Sequence, residues 1–164
     1  MRLDYCRRYA RAFGGQRVCQ PVPLTRCRSL TLIGTLSVQG LGAVQLLEGY
    51  LNYTNFAWYV TECLAPTLRR GDVLVLDNFS VHKLPGVVEW LAERGVEVVF
   101  LPPYSPDFIP IEQAWSKLKT ALRAAQARTR QELEQAPAGS HQLDYEQDAR
   151  NWFDHCGYHT QAPQ

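Results

Sequence analysis

The sequence contains no uncharged apolar run that approaches the roughly 20 residues of a membrane-spanning helix. Its first residues, Met1-Arg2-Leu3-Asp4, lead into an arginine-rich segment, whereas a secretion signal would continue into an apolar core. We therefore expect no membrane partner and a cytoplasmic location.

The chain also lacks the cysteine and glycine patterns of several common sites. Its five cysteines are odd in number and form no C-x-x-C pair, which argues against a disulfide framework and a zinc ribbon. His155, Cys156 and His159 are three possible zinc ligands, but a closed site would need a fourth, so packing and capping roles are favoured. Gly40-Leu-Gly42 has no third glycine at dinucleotide-binding spacing, and no phosphate-loop lysine motif occurs. We expect no nucleotide cofactor.

Net charge excludes little, because the formal value is +1 and the pI is near 7.7. The distribution of charge is more informative. No acidic residue lies between Glu112 and Glu132, a stretch that contains Lys117, Lys119, Arg123, Arg128 and Arg130. Residues 1–28 are also basic, with Asp4 as their one acidic residue.

At 164 residues with 46% apolar content, the chain is long enough for one domain with a core. The β-branched content of residues 29–38 and 43–47 predicts a hairpin with its turn at Gln39-Gly40. Apolar spacing predicts a helix over 55–68. Strands at 72–77 and 96–101 flank a helix at 86–95, which predicts a right-handed β-α-β crossover whose strands are buried on both faces.

The remaining pattern predicts helices toward the end of the chain. One begins near Pro110 and runs to about Gln126, Thr129-x-x-Glu132 is a capping box, and a last helix covers 144–155. We therefore predict an α/β chain with an irregular basic leader at 1–28, a core at 29–126 and a C-terminal helical tail at 127–164, together one partial catalytic domain.

Two acidic residues are candidates for chemistry. Asp77 follows a buried strand, and Glu112 lies in the first turn of the helix that follows the next strand. Taken alone, each has an ordinary explanation, a turn signal or a favourable helix-dipole position. As a pair at one sheet edge, they would bind a hard cation through oxygen, which suits Mg²⁺ or Mn²⁺ and the hydrolysis of phosphodiesters.

The helix after Glu112 carries two distinct faces. At about 100° per residue, Ser116, Lys119 and Arg123 lie within about 40° of Glu112. Trp115, Leu118 and Leu122 form a separate apolar stripe. Cations beyond a metal-binding carboxylate suit a DNA backbone that crosses the site, and the alternative is an ordinary solvated face. His82 and Lys83, on the loop after Asp77, either contact phosphate or form a surface loop without chemistry.

Three motifs together resemble the mariner-like DDE transposases of bacterial insertion sequences. They are Asp77-Asn-Phe-Ser-Val-His-Lys83, Leu101-Pro-Pro-Tyr-Ser-Pro-Asp-Phe-Ile-Pro-Ile-Glu112 and Trp115-Ser-Lys-Leu-Lys119, with 34 residues between Asp77 and Glu112. The resemblance implies a ribonuclease-H-like mixed sheet flanked by helices. It also implies Asp77 and Glu112 as metal ligands, strand cleavage and strand transfer on transposon ends and target DNA, and a nucleoid-associated location in a bacterial cell.

The chain departs from this family in two places. The family's first catalytic aspartate ends the first, central strand, and that strand is expected to be missing here. Asp4 follows no apolar strand, so we assign it an exposed structural role rather than that of a stand-in ligand. The missing strand predicts impaired catalysis. The alternative is a non-catalytic relic that binds DNA or a full-length transposase. A homodimer is a further expected assembly. In addition, Ile109 stands where the family has an asparagine that would cap the Glu112 helix. The cap is therefore expected to be lost here, unless the side chain of Asp107 replaces it.

Overall fold

A computed structural model describes residues 13–15, 30–103, 105–125 and 145–158. Over these ranges the chain forms four strands and four α-helices, with short 3₁₀ turns at Phe13–Gly15, Ser80–Lys83 and Pro106–Phe108. Several predictions lie outside the described residues: most of the basic leader including Asp4, the Thr129–Glu132 capping box, and His159.

The predicted hairpin is confirmed. Strands β1 (Leu30–Ser37) and β2 (Gly40–Glu48) pair antiparallel, and the two-residue turn is Val38-Gln39. The turn falls one residue earlier than predicted because Gly40, at φ 114°, already pairs with Ser37. A bulge interrupts the ladder, since Ile33 pairs with Gln45 and Thr35 with Gly42, which leaves Gly34 opposite two residues of β2.

The helix predicted over 55–68 begins two residues earlier. Helix α1 (Tyr53–Trp58) continues without a break as a π-helical turn, Tyr59–Leu64, and a 3₁₀ turn, Ala65–Thr67. Its start is set by Asn52, whose side-chain oxygen accepts the Asn55 N–H at 2.8 Å and caps the first turn. The predicted apolar stripe forms the core side of this segment, where Phe56, Tyr59, Val60 and Leu64 are buried.

The predicted crossover is also present. Strand β3 (Val73–Leu76) leads through α2 (Pro85–Glu93) to β4 (Glu97–Phe100), which pairs with β3 in parallel. The prediction that these strands are buried on both faces is wrong: Val73 is 55%, Val75 40% and Val99 37% exposed. The main core, which includes Leu74, Leu91 and Val96, lies on one side of the pair, so the alternate side chains of each strand face away from it.

Parallel and antiparallel pairing are both present, as expected for a mixed α/β architecture. In the part of the chain that the structure describes, β1-β2 and β3-β4 are separate two-stranded ladders. The expected lack of a first central strand concerns a segment outside these ladders and stays a prediction. The division into leader, core and tail is likewise a prediction.

Two further helices complete the described architecture. Helix α3 (Pro110–Ala125) buries Leu118 and Leu122 of the predicted stripe together with Ala114, whereas Trp115, the third residue of that stripe, is partly buried. Helix α4 (Tyr145–His155) contacts both α3 and β2, and α3 in turn contacts β1. Within the described ranges, no helix is long and apolar enough to cross a membrane.

Candidate catalytic site

Asp77 stands immediately after β3, at the edge of the β3-β4 pair where both strands end. Its Oδ1 accepts the backbone N–H of Phe79 at 3.0 Å, an Asx-type contact that bends the chain away from the strand. The same oxygen lies 2.6 Å from Nδ1 of His82. Asp77 is therefore held by two donors on one oxygen, while 46% of its side chain stays exposed.

His82 is positioned by the 3₁₀ turn Ser80–Lys83 and by two aromatic rings. Its ring centroid lies 4.9 Å from that of Phe56 and 5.7 Å from that of Phe79, the latter edge-on. Only 18% of its side chain is exposed. The only sign of this pairing in the sequence is the five-residue spacing of the two side chains. The phosphate contact predicted for His82 stays a prediction.

Lys83, the next residue of this loop, is exposed and lines an open cleft of about 510 Å³. Asn78, the residue after Asp77, lines the same cleft, together with Pro85, Val88, Glu89 and Phe100. Lys83 thus lies close in the fold to the strand ends, as a DNA-backbone contact would require.

Glu112 lies in the first turn of α3 and is exposed, with no hydrogen bond or ion pair from its carboxylate to any described residue. The chain reaches it directly from the edge where Asp77 lies, because residues 101–109 lead from the end of β4 to Pro110. The two carboxylates therefore belong to connections that leave the same sheet edge.

The start of α3 has no side-chain cap among the described residues. The backbone N–H of Glu112 donates to the carbonyl of Ile109 at 3.2 Å. Asp107 is exposed and makes no side-chain hydrogen bond within the described ranges, so the compensation considered for it is not observed there. The side chain of Ile109 cannot accept a hydrogen bond, so among the described residues the start of α3 has backbone contacts alone.

Contacts with three segments of the chain hold α3 in place. A β-carbon on Gly34 would lie 3.1 Å from Cη2 of Trp115, so the ring packs directly on the bulge of β1. Lys117 forms an ion pair with Asp148 of α4. Beyond the end of α4, the Tyr158 hydroxyl donates to the carbonyl of Phe108 at 3.0 Å, just before α3 begins. Sequence reasoning missed all three contacts.

The cations of α3 divide into two groups. Lys117 is taken up by the pair with Asp148, whereas Lys119 makes no hydrogen bond or ion pair with a described residue. Lys119 and Arg123 are both partly buried along their stems. Within the described ranges, Lys119 therefore differs from Lys117 in having no acidic partner.

The cysteine predicted to pack rather than bind zinc is buried beside α3. Gln113 Nε2 lies 3.8 Å from Cys156 Sγ, and burial, with the nearby charge of Asp107, raises the pKa of this thiol. Its neighbour His155 is exposed. Among the described residues, no three His, Cys, Asp or Glu side chains form a group able to hold a metal ion.

The donor chemistry nevertheless fits a hard divalent cation. Asp77 has one carboxylate oxygen without a hydrogen-bond partner among the described residues, and the Glu112 carboxylate has two. Mg²⁺ is commonly bound through one or two carboxylates together with water and substrate phosphate. Two carboxylates are therefore enough, in number and kind of donor, for one such ion, and a second ion would need further ligands.

Comparison with solved structures defines the class of fold. The chain aligns with the Mos1 strand transfer complex at a TM-score of 0.64 and 17% identity, covering 98% of this chain and 52% of that one. Against the Mos1 transposase paired-end complex with the left transposon end, the TM-score is 0.69 at 16% identity, over 94% and 50% of the two chains. The fold is therefore that of Mos1 transposase, which is ribonuclease-H-like.

Sequence comparison identifies the family. The DDE superfamily endonuclease profile matches residues 1–134, and the chain belongs to that family. The transposable element Tcb1 transposase of Caenorhabditis briggsae is 26% identical over 103 residues, 60% of this chain and 38% of that protein. The human histone-lysine N-methyltransferase SETMAR is 34% identical over 74 residues, 44% and 11% respectively. The chain thus spans well under half the length of these two relatives.

Proposed function

We propose that this chain is the catalytic-domain part of a DNA transposase that cleaves and joins DNA strands with Mg²⁺ or Mn²⁺ held by Asp77 and Glu112. The observation that carries the proposal is the position of Asp77. It lies at the end of a parallel strand, with one oxygen engaged by the protein and the other without a partner among the described residues, in a DDE superfamily endonuclease. Bound there, the cation would polarise the scissile phosphodiester and activate the attacking oxygen.

DNA is the proposed partner, bound through its backbone. Lys83 beside Asp77 and the pair Lys119 and Arg123 on the Glu112 side of α3 would contact phosphates on either side of the reacting bond. The similar Mos1 structures are a strand transfer complex and a paired-end complex with a transposon end, which supports transposon ends and target DNA as substrates. We extend the proposal to a homodimer or a complex with a full-length transposase, and to an origin in a bacterial insertion sequence with a nucleoid-associated location.

A second candidate function follows from the carboxylate count. The described residues contain no group of three potential ligands, and Asp4 lies outside them. A chain with two of three catalytic carboxylates would bind DNA or a full-length transposase and cut slowly or not at all. Whether a third carboxylate is available to the metal therefore decides between an impaired enzyme and a non-catalytic relic.

Metal-dependent nicking of supercoiled plasmid by the full chain tests the proposal. We expect nicks with Mg²⁺ or Mn²⁺, none with EDTA, and none in Asp77→Ala or Glu112→Ala. Asp107→Ala is the matched control, because Asp107 is an exposed acid just before the same helix. DNA binding without any nicking would favour the relic, and nicking that survives both carboxylate changes would refute the proposed site.

The DNA-backbone role of α3 has its own test. Each phosphate contact contributes about 0.9 to the slope of log K against log salt concentration. Lys119→Ala should therefore reduce the slope by about 0.9, and Lys119→Ala with Arg123→Ala should reduce it further. Lys117→Ala, which removes a cation already paired with Asp148, should leave the slope unchanged. An unchanged slope in the double variant would contradict the contact.

A further inference from the structure

The contact between His82 and Asp77 is more than a chance encounter of surface side chains. The 2.6 Å separation of Nδ1 and Oδ1 is that of a strong, charge-assisted hydrogen bond. An ionised carboxylate can only accept, so Nδ1 carries the proton. The imidazole is also largely covered, since 18% of its side chain is exposed.

Packing fixes the ring that donates this hydrogen bond. Phe56, a buried residue of α1, lies against the imidazole, and Phe79 meets it edge-on. Val81, the residue before His82, is buried in the main core. Since the ring is held by neighbours from two elements, its Nδ1–H has a fixed direction, and the carboxylate follows that direction.

The two hydrogen bonds to Asp77 fall on the same oxygen. Oδ1 accepts from the Phe79 N–H and from His82, whereas Oδ2 has no hydrogen-bond partner among the described residues. This asymmetry selects one carboxylate rotamer. It also divides the two oxygens into one that is anchored to the protein and one that is left for an external ligand.

We infer that His82 is a positioning residue, which anchors Oδ1 of Asp77 so that Oδ2 is presented to the divalent cation. The inference rests on the proposed function, because it assigns a purpose to the anchoring of a metal-binding carboxylate. It differs from the phosphate contact predicted from the sequence. If His82 contacted phosphate instead, the imidazole would face the DNA, and its loss would weaken DNA binding rather than metal binding.

Three substitutions at position 82 separate these roles. His82→Phe keeps an aromatic ring between Phe56 and Phe79 but removes the donor. His82→Asn places an amide N–H the same number of bonds from the backbone as Nδ1. His82→Gln carries its amide one bond farther, at the position of Nε2, and is the matched control for the asparagine.

The measurement is Mn²⁺ binding by calorimetry on the full chain, with the thermal midpoint in EDTA and DNA affinity in EDTA as companion readouts. Loss of a residue that orients a metal ligand typically weakens metal binding by about 10-fold or more. We expect that loss in His82→Phe, with a thermal midpoint and a metal-free DNA affinity close to the wild type. His82→Asn should recover much of the Mn²⁺ affinity, and His82→Gln should not.

Two results would overturn the inference: unchanged Mn²⁺ affinity in His82→Phe, or equal affinities in His82→Asn and His82→Gln. A fall in metal-free DNA affinity with unchanged Mn²⁺ binding would replace it with the phosphate contact. Mn²⁺ binding that Asp77→Ala leaves unaltered would instead refute the proposed metal site. The hydrogen bond between His82 and Asp77 can still be tested by ¹⁵N NMR without metal. Asp77→Ala should remove the signal of the hydrogen-bonded Nδ1–H of His82.

Discussion

The two candidate carboxylates are held in contrasting ways. Asp77 is fixed at the level of its side chain, by the Phe79 N–H and the His82 ring on one oxygen. Glu112 has no such partners in the described part of the chain. Its place is set by the backbone of α3. That helix is held by the packing of Trp115 on Gly34, the ion pair of Lys117 and the hydrogen bond from Tyr158 to Phe108.

This difference shows two routes to a positioned ligand. A carboxylate on a short turn after a strand has little backbone support of its own, so direct hydrogen bonds orient it. A carboxylate in the first turn of a 16-residue helix takes its position from the packing of the helix, and its side chain stays exposed. We therefore expect changes that loosen α3 to reach Glu112 while leaving the Asp77 region intact.

The largest expected effect comes from the core beneath α3. Leu118 is 2% exposed, and Leu118→Ala should lower the free energy of unfolding by about 2–5 kcal/mol. Val75→Ala, on the uncovered face of β3, should cost about 1 kcal/mol or less. Urea unfolding of both variants measures the contrast. Equal losses would mean that the β3 face is covered in solution.

The contact between Trp115 and Gly34 should give the next largest effect. Gly34→Ala places a methyl group 3.1 Å from both Trp115 and Val44, and such overpacking costs about 1–3 kcal/mol. Gly42→Ala is the matched control, because its nearest neighbour would be Thr35 Oγ1 at an ordinary 3.5 Å. Thermal unfolding compares the two. A stable Gly34→Ala protein would show that α3 does not depend on this approach.

A side-chain cap at the start of α3 should stabilise the helical turn that carries Glu112. Ile109→Asn supplies the missing side-chain acceptor at the start of α3 and should raise stability by about 1 kcal/mol. Ile109→Gln is equally polar but too long to cap, so it separates capping from a general gain in solubility. The measurement is the thermal midpoint of the wild type, Ile109→Asn and Ile109→Gln. Equal gains in both variants, or none in the asparagine variant, would contradict the capping argument.

The smallest effect is expected at Tyr158. Tyr158→Phe removes the hydrogen bond to the Phe108 carbonyl and should cost about 0.5–1.5 kcal/mol, while Tyr50→Phe, at an exposed side chain, should cost less. Burial, with the nearby Cys156, raises the pKa of Tyr158 above its ordinary value of 10.0. Its contribution is therefore complete below that pH and is lost as the pH rises through the raised pKa. Urea unfolding at neutral and alkaline pH should show the difference between wild type and Tyr158→Phe disappearing.

Much of the fold follows from local patterns. The hairpin, the crossover around α2 and the apolar stripe of α3 were each predictable, because alternation and helical spacing record which side of an element is buried. The boundaries shifted where a single side chain or glycine intervened, as Asn52 did at α1 and Gly40 at the turn. The valines of β3 and β4 misled the prediction, since apolar character shows what a strand tolerates and not which neighbour covers it.

Sequence by itself determined the candidate chemistry of this protein, because carboxylates after strands, a basic helix and three motifs of fixed spacing are properties of the chain order. Tertiary structure alone decided how those groups are held. His82 meets Asp77 through a tight turn and a ring from α1, and Trp115 reaches Gly34 across 80 residues of sequence. Such contacts depend on the three-dimensional approach of distant segments, which no local periodicity encodes.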